Sequence, residues 1–288
     1  MAQAVRAART AAPHPADDDS DDDCDDDCDD DCDDDCDDDS DDDGGGEVGF
    51  GARGAVGPGG DQVIEELLPG SVVAVEACGH DDAGHLPLYP EEEAIVARAV
   101  AKRRREFTVV RSCARRAMEK LGVPPQPVTT GERGAPRWPA GLAGSMTHCD
   151  GYCAAALVRL TDLASLGIDA EPDGPLPDGV LETIALPAET ARLRRLDGAR
   201  PGIHWERLLF SAKESVYKAW YPLTGRWLDF TEADIEIAVD PADPRRGTLR
   251  AELLVPGPTV DGRPLSHFDG RWTARDGLLA TAITVPHT

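Results

Sequence analysis

One segment of the chain, from Trp205 to Trp220 (WERLLFSAKESVYKAW), carries acidic and basic residues at helical spacing. Its apolar residues repeat near the 3.6-residue period, which predicts a helix that Pro222 ends. Glu214 and Lys218 are four residues apart, so they share one helix face and are close enough to interact. Taken alone, such a pair is typical of a surface salt bridge. Assigning chemistry to it requires a second feature.

The second feature is a pair of carboxylates about forty residues upstream, in the segment Gly167 to Glu171 (GIDAE). The apolar run Ala154 to Leu160 and a short polar turn precede it, which predicts the second strand of a hairpin. Since side chains alternate along a strand, Asp169 and Glu171 point to the same face. Two neighbouring carboxylates repel unless a cation lies between them, and such oxygen ligands suit Mg²⁺ held jointly with substrate phosphates. A solvated strand end is the alternative interpretation.

Two motifs, the Gly-Ile-Asp-x-Glu strand end and the helical Lys-Glu-x-x-x-Lys of Lys213, Glu214 and Lys218, together resemble the Sfp-type 4'-phosphopantetheinyl transferases that activate siderophore and polyketide synthases. The segment Gly134 to His148 (GAPRWPAGLAGSMTH) is similar to the family's Gly-x-Pro segment and its Ser-x-(Ser/Thr)-His strand. The resemblance covers roughly Glu65 to Pro286. It implies an α+β fold of two similar halves related by a pseudo-twofold axis, with the site in the cleft between them.

The resemblance also implies a reaction, the Mg²⁺-dependent transfer of 4'-phosphopantetheine from coenzyme A to a serine of apo acyl or peptidyl carrier proteins, with release of 3',5'-ADP. The carriers of this family belong to fatty acid, polyketide or nonribosomal peptide synthesis. Asp169, Glu171 and Glu214 are then expected to bind Mg²⁺, and Glu214 or a metal-bound water to take the serine proton. Lys218 is expected to stabilise the departing 3',5'-ADP, with Lys213 assisting from the adjoining helix face.

A single basic cluster stands out in the acidic chain, with eight basic residues and one acid between Arg98 and Arg116. A solvated helix face and nucleic-acid binding are alternatives, but the cluster is short and lacks interleaved aromatic residues. By resemblance, Arg103 and Arg111 bind the 3'-phosphate and adenosine of coenzyme A. His148 is expected to contact a phosphate as a protonated or Nε2-protonated imidazole. The family often carries a lysine before the Gly-x-Pro segment, and Arg133 is expected to replace it.

The net charge of −26 comes mostly from Asp17 to Asp43, which repeats Asp-Asp-Asp-X and holds 21 Asp, leaving −5 for the remaining chain. A tract with dense like charge and nothing apolar to bury is expected to be disordered. Its four cysteines, spaced four apart, do not match zinc motifs. A Gly-rich linker follows, so we expect a disordered tail over residues 1–60 and a transferase domain over 61–288, with halves of about 61–165 and 166–288.

Patterning around these motifs predicts the remaining elements. A helix is expected to begin at Pro90, and helical pieces over 181–196 to break at Pro187. Strands are predicted over residues 71–77, 144–148, 235–239, 248–255, 267–273 and 278–285.

We expect no signal peptide, because residues 1–15 lack an apolar core of the needed length. The sequence has no run of eighteen apolar residues and no disulfide pattern among Cys78, Cys113, Cys149 and Cys153. We therefore expect a protein of the reducing cytoplasm without a membrane partner, and by analogy a monomer. Two other functions stay open. One is another Mg²⁺-dependent phosphotransferase or phosphohydrolase, although no GxxxxGK[ST] loop is present. The other is a non-enzymatic interaction protein acting through its acidic tract; deleting residues 1–60 separates this last function from the transferase.

Overall fold

The computed structural model describes residues 63–79 and 86–288. The expected disordered tail over residues 1–60 lies outside the described residues. The α-helices within these ranges are α1 (Pro90–Ile95), α2 (Ala101–Lys120), α3 (Val180–Ile184), α4 (Pro187–Ala199) and α5 (Trp205–Thr224). The strands are β1 (Val73–Cys78), β2 (Leu142–Cys149), β3 (Tyr152–Arg159), β4 (Ser165–Pro172), β5 (Ala233–Val239), β6 (Arg246–Leu253), β7 (Thr259–Val260), β8 (Arg263–Pro264), β9 (His267–Arg275) and β10 (Leu278–Val285).

The first sheet has the strand order β1-β3-β2 and is antiparallel. Helix α2 packs on one face of it, where Ala114 and Met118 contact Leu157 and Leu142. The opposite face, which includes Ala156, packs against β4 and β10 of the second sheet. The short side chains of β3 allow this sheet to be covered on both sides.

The second sheet has the strand order β4-β10-β9-β6-β5, and its strands are antiparallel. Helix α5 covers one face, where Leu208 and Val216 join a core that includes Trp272 and Ile283. The strands expected behind the central helix are thereby confirmed. A separate two-stranded hairpin of β7 and β8 lies between β6 and β9 in the chain.

The expected hairpin between the third and fourth strands is wrong. β3 is the central strand of the first sheet and pairs with β1 on one side and β2 on the other, so neither of its edges is free. β4 instead pairs with β10, the last strand of the chain, with Asp169 opposite Thr281. The carboxylate-bearing strand therefore begins the second sheet at the seam between the two sheets.

Helix α5 also extends further than the sequence predicts. Pro222 lies inside its last turn, where the ring removes only one helical hydrogen bond. The helix ends at Gly225, which adopts the left-handed conformation (φ 64°) and donates its N–H to the Tyr221 carbonyl at 2.8 Å. Glycine takes this conformation without the steric cost that a Cβ imposes.

Each half of the fold thus combines an antiparallel sheet with one long helix of 20 residues, α2 in the first and α5 in the second. This confirms the α+β fold expected from the sequence. No helix in residues 63–79 and 86–288 is long and apolar enough to cross a membrane.

Candidate functional site

The site lies where α5 crosses β4, and Gly167 allows the two elements to approach closely. A Cβ at Gly167 would stand 2.0 Å from the Ser215 carbonyl oxygen and 2.7 Å from the Ala219 nitrogen, inside any tolerable contact. Only glycine fits there. Since side chains alternate along β4, Asp169 and Glu171 face the helix together with Gly167, while Ile168 and Ala170 join the core between the sheets. Both carboxylates are buried, so the solvated strand end is excluded.

One stripe of α5 meets these carboxylates. Arg207, Glu214 and Lys218 are seven and four residues apart, which places them on the same helix face. The Arg207 guanidinium donates to Glu171 Oε2 at 3.1 Å, and the Lys218 ammonium donates to Asp169 Oδ1 at 2.7 Å. Lys218 also donates to the Ile168 carbonyl at 3.1 Å. The helix therefore supplies a cation to each carboxylate of the strand, and the ion pair of Lys218 is with Asp169, while its helical neighbour Glu214 acts on it through charge.

Asp169 has one occupied and one unoccupied carboxylate oxygen. Oδ1 accepts hydrogen bonds from Lys218 and from the Thr147 hydroxyl, the latter at 3.2 Å. Oδ2 is buried and has no hydrogen-bond partner among the described residues. A buried carboxylate oxygen without a partner is costly, so such an atom indicates a ligand. A divalent cation with a preference for oxygen fits it.

The acids of the site hold their protons more tightly than ordinary glutamates. Burial and the neighbouring Asp169 carboxylate raise the pKa of Glu171 to about 7, against the opposing effect of Arg207. Burial also raises the pKa of Glu214, an effect that Lys218 opposes and Asp169 reinforces. Burial alone would lower the pKa of Lys218, but the carboxylates of Asp169 and Glu214 raise it, so this side chain remains a cation. The cluster is acidic, and a divalent cation would relieve its repulsion.

The donor set suits Mg²⁺ shared with a substrate. Within the described ranges, no three His, Cys, Asp or Glu side chains are grouped so that they could hold a metal ion. Mg²⁺ is usually bound by one or two carboxylates together with substrate phosphates and water. Asp169 through its free Oδ2, with Glu214 and Glu171 beside it, fits that mode, and the missing ligands are those that a phosphate-bearing substrate would supply.

His148 is the last residue but one of β2, and its protonation differs from that of the expected phosphate contact. Arg103 donates to His148 Nε2 at 2.5 Å, and Nδ1 lies 3.5 Å from the Glu106 carboxylate. Burial first, then the charges of Arg103 and Lys218, lower the pKa of His148 to about 4. Because the arginine is always charged and must donate, the imidazole is neutral and accepts at Nε2. It therefore orients Arg103, which is half-exposed on α2.

The two other arginines expected at coenzyme A lie in different surroundings. Arg111 is buried, with its guanidinium 3.7 Å from the centre of the Phe107 ring and Nε donating to the Val128 carbonyl at 3.3 Å. Burial lowers its pKa to about 10, which leaves it charged at neutral pH. Arg133 adopts a left-handed backbone (φ 54°) and lies over the Trp227 ring at 5.6 Å. It therefore lies beside Trp227, just beyond the C-terminal end of α5.

Lys213, which was expected to assist in the site, is not brought together with the carboxylates of β4. Its ammonium is buried on the far side of α5, 2.9 Å from Glu189 Oε1 on α4, and donates to the carbonyls of Phe230 and Ala233. Glu189 in turn accepts from the backbone N–H of Ile235 at 2.7 Å. Five residues separate Lys213 from Lys218, which turns their side chains well over 90° apart on the helix. Lys213 fixes α5 to the elements beside it.

Sequence reasoning missed Thr147 and Arg207, although each left a signal. Arg207 precedes Glu214 by seven residues, the spacing that returns to the same helix face. Thr147 precedes His148 on one strand, so its side chain points to the opposite face of the sheet, toward β4.

Two family models match the chain, the 4'-phosphopantetheinyl transferase N-terminal domain over residues 91–158 and the 4'-phosphopantetheinyl transferase superfamily over residues 165–256. The chain is 57% identical over 225 residues to the 4'-phosphopantetheinyl transferase Svp of Streptomyces mobaraensis, covering 77% of this chain and 89% of the relative. It is 50% identical over 224 residues to Npt of Nocardia iowensis, covering 77% and 99%. It is 46% identical over 226 residues to PptT of Mycobacterium tuberculosis, covering 77% and 98%. The two family matches contain β2 and β4, the strands that meet at the seam.

Proposed function

The chain belongs to the 4'-phosphopantetheinyl transferase superfamily, and on this premise we propose that the seam between β2, β4 and α5 is its active site, with coenzyme A as donor and Mg²⁺ as cofactor. The protein is thus an enzyme that transfers 4'-phosphopantetheine to carrier proteins. The observation that carries the assignment of the site is the buried, unpartnered Oδ2 of Asp169, a carboxylate whose other oxygen accepts from Lys218.

Asp169 and Glu214, with Glu171 beside them, are the residues that would hold Mg²⁺ against the pyrophosphate of coenzyme A. The metal supplies positive charge where phosphate charge develops in the transition state. Arg207 holds Glu171 in place through its hydrogen bond to Oε2 and donates to the Gly174 carbonyl at 3.2 Å. The strand end and the loop after it are thereby attached to α5.

In the reaction, the serine oxygen of the carrier forms a bond to the β-phosphorus of coenzyme A. The bond from that phosphorus to the bridging oxygen breaks, and its electron pair leaves with 3',5'-ADP. Glu214 is the carboxylate to which we assign the serine proton, because α5 holds it beside Asp169 at the proposed phosphate site. Lys218 remains a cation beside Asp169 and stabilises the negative charge of the departing group.

The basic face of α2 is assigned to the 3'-phosphate and adenosine of coenzyme A. Arg103 is half-exposed there, and the neutral imidazole of His148 fixes its orientation. A planar guanidinium binds phosphate with two parallel hydrogen bonds, which favours this contact. Arg111 is buried on the same helix and adds positive charge to this face. Arg133 lies over Trp227, and we assign it to the part of coenzyme A other than the 3'-phosphate and adenosine.

The carriers we propose are acyl and peptidyl carrier proteins of polyketide, nonribosomal peptide and siderophore synthesis, served by a monomeric enzyme in the cytoplasm. The names of the relatives support the reaction class, and the four cysteines of the described residues are free thiols, as in a reducing compartment.

The intact mass of an apo acyl carrier protein, measured after incubation with this protein, coenzyme A and Mg²⁺, tests the proposal. We expect a gain of one phosphopantetheine that EDTA abolishes. A phosphohydrolase would instead release 3',5'-ADP without any carrier and leave the carrier mass unchanged. That result would refute the transferase.

Two variants test the site itself. Asp169→Asn keeps the size of the side chain but removes the charge, and we expect the transfer rate to fall at least about 10²-fold because charge stabilisation is a large term in catalysis. Asp269→Asn makes the same change on an exposed carboxylate of β9, paired only at the surface, and is expected to transfer at the wild-type rate. Near-normal transfer by a folded Asp169→Asn enzyme would refute the site.

A further inference from the structure

The strand β2 presents different side chains to the two neighbours that it separates. Met146 joins the hydrophobic contacts beneath α2, and His148 accepts from Arg103 on the same helix. Ser145 and Thr147 point the other way, toward β4, and both are buried. β2 therefore contributes two residues to the site: His148 on the side of Arg103, where we place the phosphate, and Thr147 on the side of the carboxylates of β4.

The two hydroxyls join the sheets at a place where no backbone ladder does. In residues 63–79 and 86–288, β2 pairs with β3 and β4 pairs with β10. Across the seam, Ser145 Oγ accepts the N–H of Ile168 at 3.0 Å, and Thr147 Oγ1 accepts the N–H of Ala170 at 3.1 Å. These side chains satisfy backbone donors of β4 that would otherwise be buried without partners.

Thr147 makes one contact that Ser145 does not. Its oxygen already accepts from Ala170, so its hydroxyl hydrogen is available to donate, and Asp169 Oδ1 lies 3.2 Å away. Lys218 donates to the same oxygen. With two donors on Oδ1, any partial rotation of the carboxylate would stretch both hydrogen bonds, so its plane is held in one orientation. Oδ2 stays free.

We propose that Thr147 is a positioning residue of this transferase, whose hydroxyl fixes the Asp169 carboxylate so that Oδ2 alone is presented to the divalent cation. The inference rests on the proposed function of Asp169 as a cation ligand. Residues that hydrogen-bond to a metal ligand orient it, and their loss typically weakens metal binding about 10- to 100-fold. Thr147 couples the first half of the fold to the metal ligand of the second.

The test compares Thr147→Val, which keeps the branched shape and loses the hydroxyl, with Thr147→Ser, which keeps the hydroxyl. Ser145→Ala is the matched control, because it removes a buried hydroxyl that accepts from β4 but does not reach Asp169. Mn²⁺ binding to the full chain is measured by the electron paramagnetic resonance of free Mn²⁺, with and without coenzyme A. The coenzyme-dependent part of the binding excludes cations attracted to the Asp-rich tract.

We expect Thr147→Val to weaken the coenzyme-dependent Mn²⁺ affinity about 10-fold or more, and Thr147→Ser to retain it within about threefold. Thermal unfolding should show that Ser145→Ala and Thr147→Val lose comparable stability, while Ser145→Ala keeps the wild-type affinity. Wild-type affinity in Thr147→Val, or equal weakening in Ser145→Ala, would overturn the positioning role while the carrier assay still supports the transferase. Absence of coenzyme-dependent Mn²⁺ binding in the wild type would overturn both the positioning role and the cation site.

Discussion

Replacing Gly167 by alanine is expected to separate α5 from β4 and to damage the site without touching any charged residue. The new Cβ would lie 2.0 Å from the Ser215 carbonyl oxygen, whereas ordinary contact begins near 3.4 Å. The obstacle is backbone on the helix side, so no side chain can rotate away. The helix must therefore move by about 1.4 Å. Glu214, the residue before Ser215, moves with it relative to Asp169.

Overpacking of this kind costs about 1–3 kcal/mol in the free energy of unfolding. The catalytic effect should be larger, because a misplacement of about 1 Å between reacting groups can cost about 10²-fold in rate. Urea unfolding gives the first quantity, and the rate of carrier modification at saturating coenzyme A and Mg²⁺ gives the second. We expect the rate to fall by more than the loss of folded protein explains.

Gly198 on α4 offers the matched control, since a Cβ there would meet nothing within 4 Å. Gly198→Ala should stabilise the protein by about 0.5–1 kcal/mol, as expected for glycine replaced in a helix, and leave transfer unchanged. If Gly167→Ala keeps the stability and the transfer rate of the wild type, the close approach of α5 to β4 does not determine the geometry of the site.

Two further predictions concern buried charge. Lys213→Met leaves the Glu189 carboxylate buried without its ion pair, so we expect a loss of about 3–5 kcal/mol in the free energy of unfolding, with near-normal transfer per folded molecule at low temperature. The second prediction concerns how the stability of the protein depends on pH when EDTA keeps it free of metal. The folded pKa of Glu171, about 7, lies above its ordinary value of 4.5, so its contribution to stability is present below pH 4.5 and is lost as the pH rises through 7. Mg²⁺ favours the ionised carboxylates, and it should therefore raise Tm more at pH 8 than at pH 6.

Both predictions have an internal comparison. Adding Glu189→Gln to Lys213→Met should restore part of the lost stability, and a Lys213→Met enzyme that is stable but inactive would return Lys213 to the catalytic machinery. For the pH dependence, the quantity to follow is the difference in Tm between wild type and Glu171→Gln, because His148 also titrates differently in the folded protein, with a pKa of about 4. A difference that does not change between pH 6 and pH 8 would contradict the raised pKa.

Local patterns predicted the elements well. The period of α5, the alternation in β4 and the turns between the last strands depend on residues that are neighbours in the chain, and the structure confirms these elements. The pairing of strands was harder to predict. β4 follows β3 after a short turn, but its partner β10 arrives from more than a hundred residues later, and nothing local in β4 encodes that choice.

The candidate site shows the same division. Residue types and spacing in the sequence identified Asp169, Glu171, Glu214 and Lys218, because a helix face and a strand face follow from periodicity alone. The role of Lys213 could not be judged in the same way, since its partner Glu189 lies on another helix.

The sequence by itself determined the family, the two elements that carry the acids and the lysine, and the faces on which these side chains stand, because each of these depends on residues close together in the chain. Tertiary structure alone decided which cation meets which carboxylate, which oxygen of Asp169 stays free, and that Thr147 reaches across the seam. The physical reason is that hydrogen bonds and ion pairs form between atoms a few ångströms apart, and packing of the two sheets and α5 brings those atoms together from residues 22 to 49 positions apart in the chain.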